Sequence, residues 1–127
     1  MKILGIDYGR KKMGLAIAIE KLAEPYDVIR IQKAGEATTK IGEIVKKEGV
    51  ERVVVGISEG AMGAETRSFG KRLSGRLGIK VEFWDETLST QDSQALSIEA
   101  GLSRKKRRGL EDAFAAAVML QSYLERR

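Results

Sequence analysis

Lys2-Ile3-Leu4-Gly5-Ile6-Asp7-Tyr8-Gly9 is a short apolar run that ends in a carboxylate and then a glycine turn. It reads as a buried strand that delivers one acid to its own end. Gly5 and Gly9 carry no side chain, so another backbone or a ligand has room to approach beside that acid. Met13-Gly14-Leu15-Ala16-Ile17-Ala18 reads as the returning strand, with Tyr8 to Lys12 as the connection, and Asp7 stands at the tip of the resulting hairpin. Taken alone, an Asp-x-Gly is at least as often a turn whose aspartate bonds nearby backbone. Acids further along the chain change that balance.

A third strand is expected over Tyr26 to Ile31, entered from Pro25, the only proline. Thr38 is placed to cap a helix through about Glu48, since Ile41, Ile44 and Val45 share one face and Gly49 follows the end. Arg52-Val53-Val54-Val55-Gly56-Ile57 is apolar without alternation, the pattern of a strand covered on both faces and parallel to its neighbour. Ser58 to Ala64 reads as a glycine-containing loop, followed by a helix through about Leu77 closed by Gly78. Lys80 to Trp84 reads as a fifth strand that exits into Asp85 and Glu86. Ser89 or Thr90 caps an expected helix running towards Gly101. From Glu111 a last helix carries Phe114, Ala117, Val118, Leu120 and Leu124 on a broad apolar face, with alanines that permit close packing. This order predicts an α/β protein: one five-stranded mixed sheet, three antiparallel strands followed by two parallel ones, flanked by helices on both faces. The length of 127 residues predicts a single domain over 1–127.

Composition narrows the chemistry. With 43% hydrophobic and 32% charged residues the chain has the make-up of an ordinary soluble protein. The first strand reaches Asp7 too soon for a signal-peptide apolar region and no run is long enough to span a membrane, so a cytoplasmic location is expected. There is no cysteine and no histidine. Disulfides, imidazole or thiolate zinc sites, Ser-His-Asp triads and Cys-His pairs are therefore excluded. Carboxylates, hydroxyls, lysines or bound ions must run any chemistry, and hard oxygen ligands favour Mg2+ or Mn2+.

In the expected sheet the first strand is central and parallel to the fourth and fifth, so their carboxyl ends share the edge where open α/β sheets place ligands. Asp7 ends the first strand, Asp85 and Glu86 end the fifth, and Asp112 opens the last helix. Each has an ordinary explanation: a turn, a polar strand exit, or an acid interacting with a helix dipole, as Glu111 also does. Together on one edge they form a metal-site candidate. Two carboxylates about 4 Å apart repel by roughly 4 kcal/mol at an effective dielectric near 20, and a proton or divalent cation must relieve them. Two such ions about 4 Å apart would suit in-line attack on a phosphodiester.

The formal net charge is +5. Arg104, Lys105, Lys106, Arg107 and Arg108 are consecutive cations just before Asp112, and Arg10, Lys11 and Lys12 follow Asp7. A run of charge is usually a solvated loop; beside an acid cluster it also suits nucleic-acid phosphates, with binding that weakens in salt. Gly56 to Gly63 fits neither a Walker loop nor a dinucleotide fingerprint and reads as a turn.

These residues carry a resemblance. Gly5-Ile6-Asp7-Tyr8-Gly9 with Lys11, Gly14 and Ala16, then Val54-Val55-Gly56-Ile57, Asp85-Glu86 with Leu88-Ser89-Thr90, and Asp112 with Ala115-Ala116 and Leu120-Gln121-Ser122-Tyr123-Leu124 resemble the bacterial YqgF family over essentially the full length. That family is described both as Holliday junction resolvases and as pre-16S ribosomal RNA nucleases. The resemblance implies a ribonuclease H-like fold, catalytic acids at Asp7, Glu86 and Asp112 with Asp85 as an alternate ligand, Mg2+ or Mn2+ as cofactor, and an rRNA precursor or branched DNA as partner. A resolvase would act as a homodimer and a processing nuclease as a monomer. Thr87 stands where the family usually has arginine, and Ser58 where it has proline.

Three functions follow as expectations. The first is a metal-dependent endonuclease gripping its strand through Lys105 to Arg108. The second is a nucleic-acid-binding or ribosome-assembly factor without catalysis. The third is one half of an actin-like nucleotide-binding fold, in which Asp7-x-Gly9 would be a phosphate loop.

Overall fold

The opening run forms β1 (Lys2–Asp7) in the computed structural model, which describes residues 1–33, 35–57, 61–85 and 110–126. It is the middle strand of a sheet ordered β3-β2-β1-β4-β5. On one side β2 (Lys12–Ile19) and β3 (Leu22–Arg30) add antiparallel; on the other β4 (Arg52–Ile57) and β5 (Lys80–Asp85) add parallel. Helices α1 (Glu36–Glu48) and α2 (Ala61–Leu77) cover one face and α3 (Glu111–Arg126) covers the other. The mixed sheet and its two helical layers are those the sequence predicts. The helix expected between Ser89 and Gly101 lies outside the described residues. Among the described residues, no helix is long and apolar enough to cross a membrane.

Alternation along the strands explains both layers. In β1, Leu4 and Ile6 pack beneath α1 and α2 with Ile41, Phe69 and Leu73, whereas Ile3 packs towards α3 and Gly5 lies against Leu120 of that helix. In β4, Val53 and Val55 take the first side and Val54 the second, all three without exposed surface. A strand buried on both faces has no polar side to show, hence the unbroken apolar run. Each buried Leu, Ile or Val stabilises the fold by roughly 1.5–3 kcal/mol relative to exposure.

Four boundaries differ from the sequence expectation. β3 begins at Leu22, not Tyr26, and ends at Arg30; Pro25 lies within it, opposite Ala16 beside a register shift. A proline without a donor is tolerated there because β3 is an edge strand. Thr38 is not the cap of α1: Gly35 is, at φ 82°, and the Thr38 hydroxyl instead bonds the Gly35 carbonyl at 2.9 Å from inside the first turn. α2 starts at Ala61 and takes in Gly63, which is buried within the helix; tertiary burial outweighs the roughly 1 kcal/mol helix penalty of a glycine. Asp85 completes β5 and does not follow it.

Glu36 ties the first turn of α1 to the segment before it. Its carboxylate accepts the backbone N–H of Gln32 at 2.6 Å and of Lys33 at 3.2 Å, and pairs with Lys40 at 3.2 Å. The two backbone donors first, and Lys40 after them, pull its pKa down to about 2. A depressed carboxylate contributes stability that is present above its unfolded pKa and lost as pH falls through the folded value. Glu36→Gln is therefore expected to lower Tm at neutral pH, and the gap from wild type to close as melts are repeated from pH 5 down to pH 2. A gap independent of pH would show that the charge of Glu36 contributes nothing.

Candidate active site

Asp7 is the last residue of β1, paired with Gly14 on β2 and level with Gly56 on β4. Because Ile3 and Gly5 face α3, alternation puts Asp7 on that same side. Gly14 faces it too. A Cβ at Gly14 would lie 1.8 Å from the carbonyl oxygen of Asp112, 2.1 Å from its carbonyl carbon and 2.8 Å from the amide of Ala113. The first turn of α3 thus rests on bare backbone, directly across the strand pair from Asp7. Paired Cα atoms in such a ladder are about 4.5–5.5 Å apart. Residues near the two ends of the sequence therefore bring Asp7 and Asp112, both half-buried, to one corner of the sheet.

Helix geometry holds Asp112 in place. Ala113, Ala116 and Ala117 are buried, and their small side chains let α3 lie close on the sheet. Farther along, the Trp84 indole donates to the Ser122 hydroxyl at 3.2 Å and meets the Tyr123 ring edge-on at 5.6 Å. The Tyr123 hydroxyl donates to Glu82, and that bond, ahead of Lys80 and Arg52, keeps the Glu82 carboxyl below the ordinary range. The cation beside Asp112 is Lys12, whose Nζ is 3.1 Å from Oδ2. Both groups are partly exposed, so the pair is worth at most about 1 kcal/mol. Lys12 is exchangeable.

Asp85 ends β5. On β5, Trp84 packs on the α3 side with Glu82, while Val81 and Phe83 pack beneath α1 and α2. Alternation gives Asp85 the latter face, opposite Asp7. It is also two strands away, roughly 10 Å at sheet spacing. Glu86 lies outside the described residues, as do Arg104, Lys105, Lys106, Arg107 and Arg108. Among the described residues there is no cluster of three or more candidate metal ligands. Asp7 and Asp112 are hard oxygen donors in a chain without imidazole or thiolate, and such donors fit a hard divalent cation.

Arg10 is turned away from the acids. Its Nε donates to Glu65 at 2.9 Å, and the Tyr8 hydroxyl donates to the same carboxylate at 2.6 Å. Burial first, and that bond second, push the Tyr8 phenol up to about 12; Arg10 and Tyr8 together hold Glu65 below its ordinary value. Glu65 on α2 therefore pins the turn that follows Asp7. Sequence reading missed it, because nothing distinguishes it from any other helical glutamate. It also missed the reason for Gly14, although a glycine inside an apolar strand signals close backbone approach.

A family model described as RuvX, Holliday junction resolvase, matches residues 1–126. A curated protein from Symbiobacterium thermophilum is 41% identical over 100% of this chain and 94% of its own length. Another from Pelotomaculum thermopropionicum is 39% identical over 98% of this chain and 87% of its own length. Each is named "Putative pre-16S rRNA nuclease". Among solved structures, T. thermophilus RuvC in complex with a Holliday junction substrate matches with a TM-score of 0.69 at 19% identity, covering 98% of this chain and 95% of that one. The Fowlpox virus Holliday junction resolvase matches at 0.64 and 15%, covering 98% of each. At such identities these likenesses speak for the fold, which is ribonuclease H-like.

Proposed function

Because the chain belongs to the RuvX family, the YqgF family that its sequence resembles, we propose that it is an endonuclease hydrolysing phosphodiester bonds in structured nucleic acid. The proposed substrate is a ribosomal RNA precursor, and the acid set is Asp7, Glu86 and Asp112. The reading is carried by the meeting of Asp7 with the head of α3 over Gly14. Full-length relatives named for pre-16S rRNA support the precursor, and the family model described for a Holliday junction resolvase makes a four-way junction the second substrate to test.

Asp7 and Asp112, with Glu86, would hold magnesium or manganese. When bound, such an ion supplies Lewis acidity towards a phosphoryl oxygen and acidifies water. The chain's own residues do the rest. The carboxylates concentrate positive charge at one corner of the sheet, and the dipole of α3 favours negative charge at its head. Lys12, paired with Asp112 here, would be the nearby ammonium for a phosphate once Asp112 held a cation. Glu65 fixes the turn, so that Asp7 cannot drift with it.

The test is a manganese titration with a labelled rRNA precursor beside a labelled four-way DNA junction. Cleavage of the precursor that appears with metal and stops with EDTA is expected. Binding of both substrates without cleavage of either at any metal concentration would instead identify a non-catalytic binding or assembly factor.

A further inference from the structure

On the opposite face of the sheet from Asp7, the β1–β2 turn, the end of β3, the start of α1 and the middle of α2 line a cleft of about 670 Å³. Among the described residues its lining includes Arg10, Lys11, Arg30, Lys33 and Arg72 and no carboxylate. In a chain with 23 basic and 18 acidic residues, five cations and no acid around one concavity is a strong local bias. The two nearby acids are already engaged: Glu65 by Arg10 and Tyr8, Glu36 by Lys40 and two backbone N–H groups. Among the described residues Lys11, Arg30, Lys33 and Arg72 form no ion pair.

The cleft is held by its backbone. The Ile31 N–H donates to the Lys11 carbonyl at 2.7 Å, joining turn to strand end, and the Lys40 ammonium donates to the Arg30 carbonyl at 2.9 Å. Tyr8 packs on Phe69 beneath, with ring centroids 5.0 Å apart. Like charges gathered around a concavity focus a positive potential and attract a polyanion. Lys11 and Lys12 are neighbours in sequence, yet one lines this cleft and the other pairs with Asp112.

We propose that this cleft holds the sugar-phosphate backbone of the substrate strand, which crosses the β1–β2 turn from the acids to the opposite face. The proposal rests on the nuclease reading for its ligand, and commits to a nucleic-acid strand and not to a free nucleotide. The grip is electrostatic and independent of sequence, because backbone contacts position a strand without reading it.

The test measures binding apart from cleavage. A fluorescein-labelled 12-nucleotide single-stranded RNA is titrated, in EDTA, with wild type, with the double variant Arg30→Ala/Lys33→Ala, and with Lys46→Ala/Lys47→Ala. The last pair removes the same charge from exposed positions at the far end of α1. The cleft variant is expected to bind roughly tenfold more weakly at 0.1 M salt, with a log K against log salt slope shallower by about 1.4, two single-strand phosphate contacts. The control pair should bind like wild type, and all three should melt alike. Equal weakening in the control, or an unchanged slope in the cleft variant, overturns the proposal. So does a variant that loses adenosine monophosphate binding while its strand affinity is unchanged. Weaker binding by the cleft variant of a protein that cuts nothing would leave the cleft standing and refute the nuclease; normal cleavage with unaltered binding would do the reverse.

Discussion

Asp7→Asn is expected to yield a folded protein that binds nucleic acid and has lost cleavage. Asparagine keeps the shape of the side chain and leaves intact the backbone pairing with Gly14 and Gly56 that sets this strand end. What disappears is the negative charge at the end of β1, across the strand pair from the backbone that carries the head of α3. A cation site reduced in that way holds its ion less tightly and orients it less well. A loss of at least about 10³-fold in single-turnover rate is expected, equivalent to about 4 kcal/mol of barrier. RNA affinity in EDTA should change little, because the cations that draw the polyanion remain. The measurements are a manganese-dependent rate, a binding isotherm and a thermal melt on one preparation. A variant that cuts at the wild-type rate removes Asp7 from the active site, and one that no longer unfolds cooperatively shows that its role is structural.

Gly14→Ala should be more damaging than its single methyl suggests. The new Cβ would have to sit within 2.1 Å of two backbone atoms of Asp112, and backbone cannot step aside as a side-chain tip can. Either β2 or the start of α3 must move. Overpacking of this kind costs about 1–3 kcal/mol and occasionally more, here at the upper end, or a fall in Tm of about 10 °C. Cleavage should fall further than stability, by at least roughly 10²-fold, since a displacement near 1 Å at a reacting group is worth that much. Gly75→Ala in α2 is the matched control. Nothing lies within 4 Å of a Cβ there and the site is exposed, so it should be neutral or stabilise by up to about 1 kcal/mol. A Gly14→Ala protein as stable and active as wild type would show that α3 does not depend on this contact.

The sheet was legible in the sequence because each strand obeys a simple burial rule. Runs covered on both faces, β1 and β4, show no alternation, and the hairpin announces itself through Gly9 and the return at Met13. Asp7 and Asp112 were legible for the same reason, since each stands at a predicted element end. Asp85 and Glu86 look alike in the sequence, because parity needs the strand's true end, which is Asp85. The cap of α1 was misassigned because a threonine near a helix start satisfies the usual rule, while Gly35 does the capping by backbone conformation alone. The cationic cleft had no sequence signature. Arg10, Arg30 with Lys33, and Arg72 come from three separate segments, and only the fold makes them neighbours.

The short link between β1 and β2 has a consequence for what the chain tolerates. Successive residues along it address opposite sides of the molecule: Tyr8 goes to the tyrosine-phenylalanine floor, Lys11 to the cleft and Lys12 to the aspartate. Its length is therefore a reading frame. One inserted or deleted residue would swap the duties of both lysines at once, as a one-step slip turns over every side chain of a strand. Related chains should keep the number of residues in this link.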